Sequence, residues 1–190
     1  MSTRIQSFRL GAIAATLISI GVGADAPPQT IDAGGMTFQA PASWKSSKPS
    51  STMRRAQLKV DPVEGDSEAA ELVIFAFPGG AGTVEANVSR WQSQFKDNDG
   101  KPPKIESKTI KGKNVEVTRV ETGGHFVAPE FPGSPKVSNK KDFRLLGAIV
   151  QTPSTGYYLK MIGPEKTMAA AEAGFDRLIA SITVGEAGGK

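Results

Sequence analysis

Glu71-Leu72-Val73-Ile74-Phe75-Ala76-Phe77 runs straight into Pro78-Gly79-Gly80-Ala81-Gly82-Thr83, and this junction decides the fold. The apolar run from Leu72 to Phe77 is too short for a buried helix and shows no alternation, which predicts a central strand covered on both faces. The proline and glycines break it. Thr83 is then placed to cap a helix whose first turn carries Glu85, an acid where the helix dipole favours one. At 100° per residue Val84, Val88, Trp91 and Phe95 form one narrow stripe to bury, and the helix is expected to stop near Asp97 to Gly100.

Upstream, residues 36–39 have strand character and Pro41-Ala42-Ser43-Trp44 turns the chain. Residues 55–60 alternate, with Ala56, Leu58 and Val60 on one face and Arg55, Gln57 and Lys59 on the other, the pattern of a half-buried strand. Downstream, residues 105–110 and 114–121 bracket Lys111-Gly112-Lys113 as a hairpin, and residues 144–151 and 157–162 form a second around 152–156. Residues 123–142 contain three prolines and little periodicity, and read as a long loop with strand at most at its start. Gly163-Pro164 opens a last helix with Met168, Ala171, Phe175, Leu178, Ile179 and Ile182 on one face. Gly174 at the edge of that stripe suggests close approach of another backbone. The order is three strands, helix, four strands, helix. This is an α+β pattern: an antiparallel sheet of six to seven strands with a helix packed on each face, an α/β/α sandwich.

The 190 residues include no cysteine and a single histidine, His125. Disulfides, thiolate metal sites, cysteine nucleophiles and multi-histidine metal sites are excluded. Residues 1–24 read as a secretory signal, with Arg4 and Arg9 ahead of an apolar run of about 13 residues, against about 20 for a membrane span, so removal is expected, with retention as an N-terminal anchor the alternative. Removal after Val22-Gly23-Ala24 leaves a short leader over 25–30, one domain over 31–184 and a loose tail over 185–190, located in the periplasm or outside the cell. It also leaves 21 basic against 19 acidic residues. Without a concentrated basic field, nucleic acid is not an expected partner, nor is any membrane span expected once the signal is gone.

Phe38 with Pro41 and Trp44, and the closing Tyr157-Tyr158-Leu159-Lys160-Met161-Ile162-Gly163-Pro164 before the Phe175 helix, resemble the PsbP-like superfamily of exported or organellar α/β/α sandwiches. More narrowly, Glu85-Ala86-Asn87-Val88-Ser89-Arg90-Trp91 with Gln94-Phe95, and Arg144-Leu145-Leu146-Gly147-Ala148-Ile149-Val150, are similar to a group of uncharacterised secreted bacterial proteins. The pattern covers most of residues 36–183. The resemblance implies non-enzymatic accessory work, such as stabilising a larger assembly, and brings neither a catalytic motif nor a cofactor.

Against that background the residues offer few sites. The turn carrying Gly79, Gly80, Gly82 and Thr83 meets a helix N-terminus, where an anion can bind; it lacks the lysine of a nucleotide loop, and a plain tight turn is the simpler reading. Asn87, Arg90 and Gln94 share one helix edge, as a recognition surface or as partners for loop carbonyls and an acid. His125 has no triad partner in a recognisable motif. Asp97-Asn98-Asp99-Gly100 imitates part of a calcium loop, but Phe95 stands where the first ligand belongs. Asp61, Glu64, Asp66 and Glu68 read as a solvated connector. In the 123–142 stretch, Phe126, Phe131, Lys140 and Lys141 suit docking to a protein or envelope component, or equally an insertion that folds down over the sheet. The expectation is therefore a non-enzymatic binding protein without a metal or cofactor. The alternative is a small-molecule or anion binder, or a hydrolase, with a pocket joining Gly80, Arg90 and His125.

Overall fold

The computed structural model describes residues 26–129 and 133–185; the signal segment, Phe131 and residues 186–190 of the tail lie outside the described residues. Strands β1 (Gln29–Asp32), β2 (Met36–Ala40), β3 (Lys45–Ser46), β4 (Arg54–Val60) and β5 (Ala70–Pro78) precede helix α1 (Val84–Gln92). Strands β6 (Phe95–Lys96), β7 (Glu106–Lys111), β8 (Glu116–Pro129), β9 (Val137–Gln151) and β10 (Thr155–Pro164) then lead to helix α2 (Glu165–Ser181) and the short β11 (Thr183–Val184).

Eight strands form the main sheet in the order β3-β4-β5-β10-β9-β8-β6, with β7 also on β8, and β1-β2-β11 form a separate sheet of three. The pairings are antiparallel. The predicted antiparallel α+β architecture is present, but the strand tally of six to seven is not. Two-residue β3 and β6 lengthen the main sheet, and residues 36–40 leave it to pair with β1 and β11. Their buried face is taken by α2: Met36, Phe38 and Ala40 share a core with Met168, Phe175 and Ile179.

The apolar run that opened the reading is β5, flanked by β4 and β10. Leu72, Ile74 and Ala76 feed the cluster that contains the α2 side chains, while Phe75 and Phe77 pack toward the cluster around Trp91 of α1. Strand β9 divides in the same way, Leu146, Ala148 and Val150 against Leu145 and Ile149. Consecutive side chains of a strand point to opposite faces, so a strand serving two clusters is apolar at every position. Each fully buried Leu or Phe contributes roughly 1.5–3 kcal/mol through the water it sheds.

Three further expectations are corrected. Helix α1 ends at Gln92 instead of near Asp97. Ser93 Oγ donates to the Arg90 carbonyl, the Gln94 N–H to that of Trp91, and Phe95 then pairs with Phe126 as a strand. Phe95 still enters the Trp91 cluster, which is why it imitates the helical stripe. Residues 123–129 and 137–142 are strand and not loop: β8 continues to Pro129 and β9 begins at Val137, paired through Pro129–Val137. Their cross-strand hydrogen bonds supply the order that hydrophobic periodicity does not announce. At Gly174 the close neighbours are side chains and not backbone: a Cβ there would lie 3.0 Å from the Pro41 ring and 3.2 Å from the Trp44 indole.

Candidate functional site

Helix α1 and its flanking turns cover only part of the sheet. Trp91 lies on Gly147 of β9, where a Cβ would stand 2.4 Å from its Cζ3, and the Tyr158 hydroxyl accepts the Ala81 N–H at 3.1 Å. Past Lys160 the cover stops. There β5, β10, β9 and β8 form the floor of a groove of about 270 Å³, built on Val73, Phe75, Phe126, Phe143, Lys160 and Ile162.

Two β-bulges shape its rims. In β4 the register moves from Arg54 opposite Phe75 to Ala56 opposite Ile74, so Arg55 is the extra residue and Arg54 shares a face with Gln57. Arg54 Nη1 donates to Gln57 Oε1 at 3.1 Å and reaches Glu71 Oε2 at 3.5 Å, while Gln57 Nε2 donates to Glu71 Oε1 at 2.5 Å. In β9 Lys141 and Asp142 stand opposite the single residue His125, with Asp142 at φ 54°. The bulge brings Lys140, three positions from Phe143, onto the Phe143 face. Lys140 Nζ sits 5.2 Å from the Phe143 ring centroid and pairs with Glu68.

Lys160 differs from the other cations of the groove. Its ammonium donates to Gln94 Oε1 and lies 6.0 Å from the Phe126 centroid, and no described carboxylate stands within ion-pair distance of it. Burial, with the like charge of Arg90 second, pushes it down to about 8. Phe126 is stacked on Phe143 at 6.4 Å and 17°.

The predicted polar edge is divided among separate tasks. Asn87 is buried and its amide nitrogen donates to the Ala81 and Thr83 carbonyls at 2.9 and 2.8 Å, fastening the turn to the helix that Thr83 caps. Arg90 is exposed and donates to Asn87 Oδ1 at 2.5 Å; the acid expected beside it is not there. Gln94 belongs to the groove through Lys160. In the glycine turn, the Gly79 and Gly80 N–H groups already donate to the Ser154 and Phe77 carbonyls, and Ala81 to Tyr158. Gly79, Gly80, Gly82 and Thr83 line a shallow recess that includes neither Arg90 nor His125, so the alternative pocket is not assembled there. His125 sits in the β9 bulge register, opposite Lys96 of β6. Phe126 and Lys140 reach the groove, whereas Lys141 is exposed outside its lining.

The acidic residues are also engaged. Asp97 Oδ1 accepts from the Asp99 and Lys101 N–H groups, closing the turn that follows β6, and Asp66 Oδ2 accepts from the Thr167 N–H and hydroxyl at 2.7 Å, holding the start of α2. Among the described residues, no group of three His, Cys, Asp or Glu is placed to hold a metal ion, and no helix is long and apolar enough to cross a membrane.

Two features escaped the sequence reading. One is Lys160 itself, hidden in an otherwise apolar strand; an isolated cation at an inward position was the available signal. The other is a charge network on β8, β9 and α2. Arg119, 5% exposed, donates to Glu121, Glu172 and Asp176 at 2.7–2.8 Å, and Arg144 bonds Glu121 and Glu172. Its members are 57 positions apart at the widest bond, and no local pattern links them.

The chain matches no protein-family model and no curated protein. Among solved structures it is similar to cyanobacterial PsbP (CyanoP) from Synechocystis sp., at 16% identity and a TM-score of 0.51, over 92% of this chain and 98% of that one. It is also similar to LpqN, described as involved in cell envelope biogenesis of Mycobacterium tuberculosis, at 11% identity and a TM-score of 0.51, over 83% and 90% of the two chains. A structure from Bacteroides thetaiotaomicron aligns at 11% identity and a TM-score of 0.49 over 88% of this chain, which spans about half, 51%, of that longer one. An antiparallel sheet with two helices, together with the likeness to CyanoP and LpqN, defines the fold class. The fold is PsbP-like, as the entrance and closing motifs implied.

Proposed function

We propose that the chain is an exported accessory protein that acts by binding and not by catalysis, an α/β/α sandwich with one helix per sheet face. Its contact site for a protein or other envelope component is the groove beside Lys160. The observation that carries this reading is the groove's construction: an apolar floor, rims whose charges are already paired as Arg54–Glu71 and Lys140–Glu68, and one cation left without a counter-charge. Such a site is shaped to recognise: its rim charges are spent on one another, and no described carboxylate stands beside Lys160 to form an acid–base couple with it. LpqN, described as involved in cell envelope biogenesis, agrees with this reading.

The test is capture of partners from the native envelope fraction by three forms of the protein. Ser138 lines the groove and Lys141 does not. Wild type and Lys141→Ala are expected to recover the same component and Ser138→Trp, which fills the groove with an indole, to lose it. Equal recovery by all three removes the groove from the function.

A further inference from the structure

We infer that the groove takes a small carboxylic acid with a flat apolar body, the carboxylate seated on the Lys160 ammonium and the body against Phe75, Phe126 and Phe143. This rests on the reading of the groove as the contact site and specifies what it recognises.

Three observations converge on that chemistry. An ammonium has three donors, and only one at Lys160 is used, by Gln94 Oε1. Two remain for a ligand in a setting where charge-assisted hydrogen bonds are strong. The lining carries the cations Arg54, Lys140 and Lys160 against the carboxylates Glu68 and Glu71, an excess of one positive charge. That balance fits a monoanion; a doubly charged phosphate would meet the rim carboxylates with its second charge. The walls then fix the body. Phe75 and Phe126, each partly exposed, line the groove with Val73 and Phe143, so an apolar ring finds carbon surface to lie on. A volume of about 270 Å³, just under the roughly 300 Å³ lower bound of common ligand pockets, is enough for a one- or two-ring acid.

The remaining charges that face Lys160 are Arg90 from α1, Arg54 from β4, Glu71 from β5, and the Lys140–Glu68 pair. None supplies it with an ion pair, so a bound carboxylate would be its first. Ligand affinity is expected to fall as pH rises through about 8, where the buried ammonium loses its proton.

The experiment is a calorimetric titration of the purified protein with 2-naphthoate and, in parallel, its uncharged isostere 2-naphthamide. The acid is expected to bind at least about tenfold more tightly than the amide, the worth of one charge-assisted contact. Lys160→Met should erase that preference and Lys160→Arg should keep it, with thermal unfolding confirming that each variant is folded. Equal binding of acid and amide by wild type, or a preference that survives in Lys160→Met, overturns the inference. If neither probe binds while Ser138→Trp still loses the envelope component, the acid specificity is wrong and the groove remains the contact site. If neither binds and capture ignores Ser138→Trp, both readings fall.

Discussion

A lysine stem can cross an apolar sheet face, but its ammonium loses hydration wherever it stops. At Lys160 burial dominates and Arg90 adds to it, taking the group from 10.5 to about 8. Between those values the unfolded chain holds more protons than the folded one. The contribution of Lys160 to stability therefore rises with pH across that window, and its cost is fully present below about 8. Lys160→Met is expected to raise stability at neutral pH by about 1–3 kcal/mol, read as a higher urea midpoint, with the gain shrinking above pH 8. A midpoint that does not move would show the ammonium reaching water. Gly147 is held by the opposite constraint, absence of space. A Cβ there meets Trp91 at 2.4 and 2.9 Å, and the indole is itself packed in a closed cluster. Gly147→Ala should cost about 1–3 kcal/mol in thermal or denaturant unfolding.

Elements show where sequence patterns suffice and where they fail. Strand β5 and the apolar halves of β9 and β10 were legible because two clusters draw on alternate side chains, and α2 because a long stripe faces one core. The hairpin arm of β8 and β9 was not legible. Its prolines and lysines carry no period, and its register depends on a bulge that shifts facing by one residue. No local pattern announces that Lys140 and not Lys141 enters the groove. Likewise Arg55 was assigned to the face that Arg54 occupies, because alternation cannot anticipate an inserted residue. The β9 bulge has a direct test at Asp142, whose φ of 54° lies where β-branched side chains are strained. Asp142→Val is expected to lower stability by about 1–2 kcal/mol and Asp142→Gly to leave it level or raised, by denaturant unfolding. Equal effects would place the bulge elsewhere.

Among the described residues, the side chains that hold the layers together are mostly apolar, and the Arg119 network is a polar exception. Burial pushes the Glu121 carboxyl up, yet hydrogen bonds from Arg119 and Arg144 outweigh it and hold the group below its ordinary 4.5. Its stabilising share is present above that value and is lost as pH falls through the lower folded one. Stability should accordingly decline in acid from about pH 4.5 downward. Arg119→Met leaves Asp176 without its partner and Glu121 and Glu172 with Arg144 alone, and is expected to cost about 1–3 kcal/mol at neutral pH, measured by urea unfolding. No sequence pattern exposed this network, for its residues meet only once β8 and α2 are packed together. The overall class was legible for the converse reason, that buried runs and stripes report layers directly. The central claim, that recognition takes place beside Lys160, is tested most directly by mapping amide chemical shifts during a 2-naphthoate titration. The account predicts saturable shifts confined to residues around Val73, Phe126, Phe143 and Lys160; shifts centred on Gly79 to Thr83, or scattered without saturation, would contradict it.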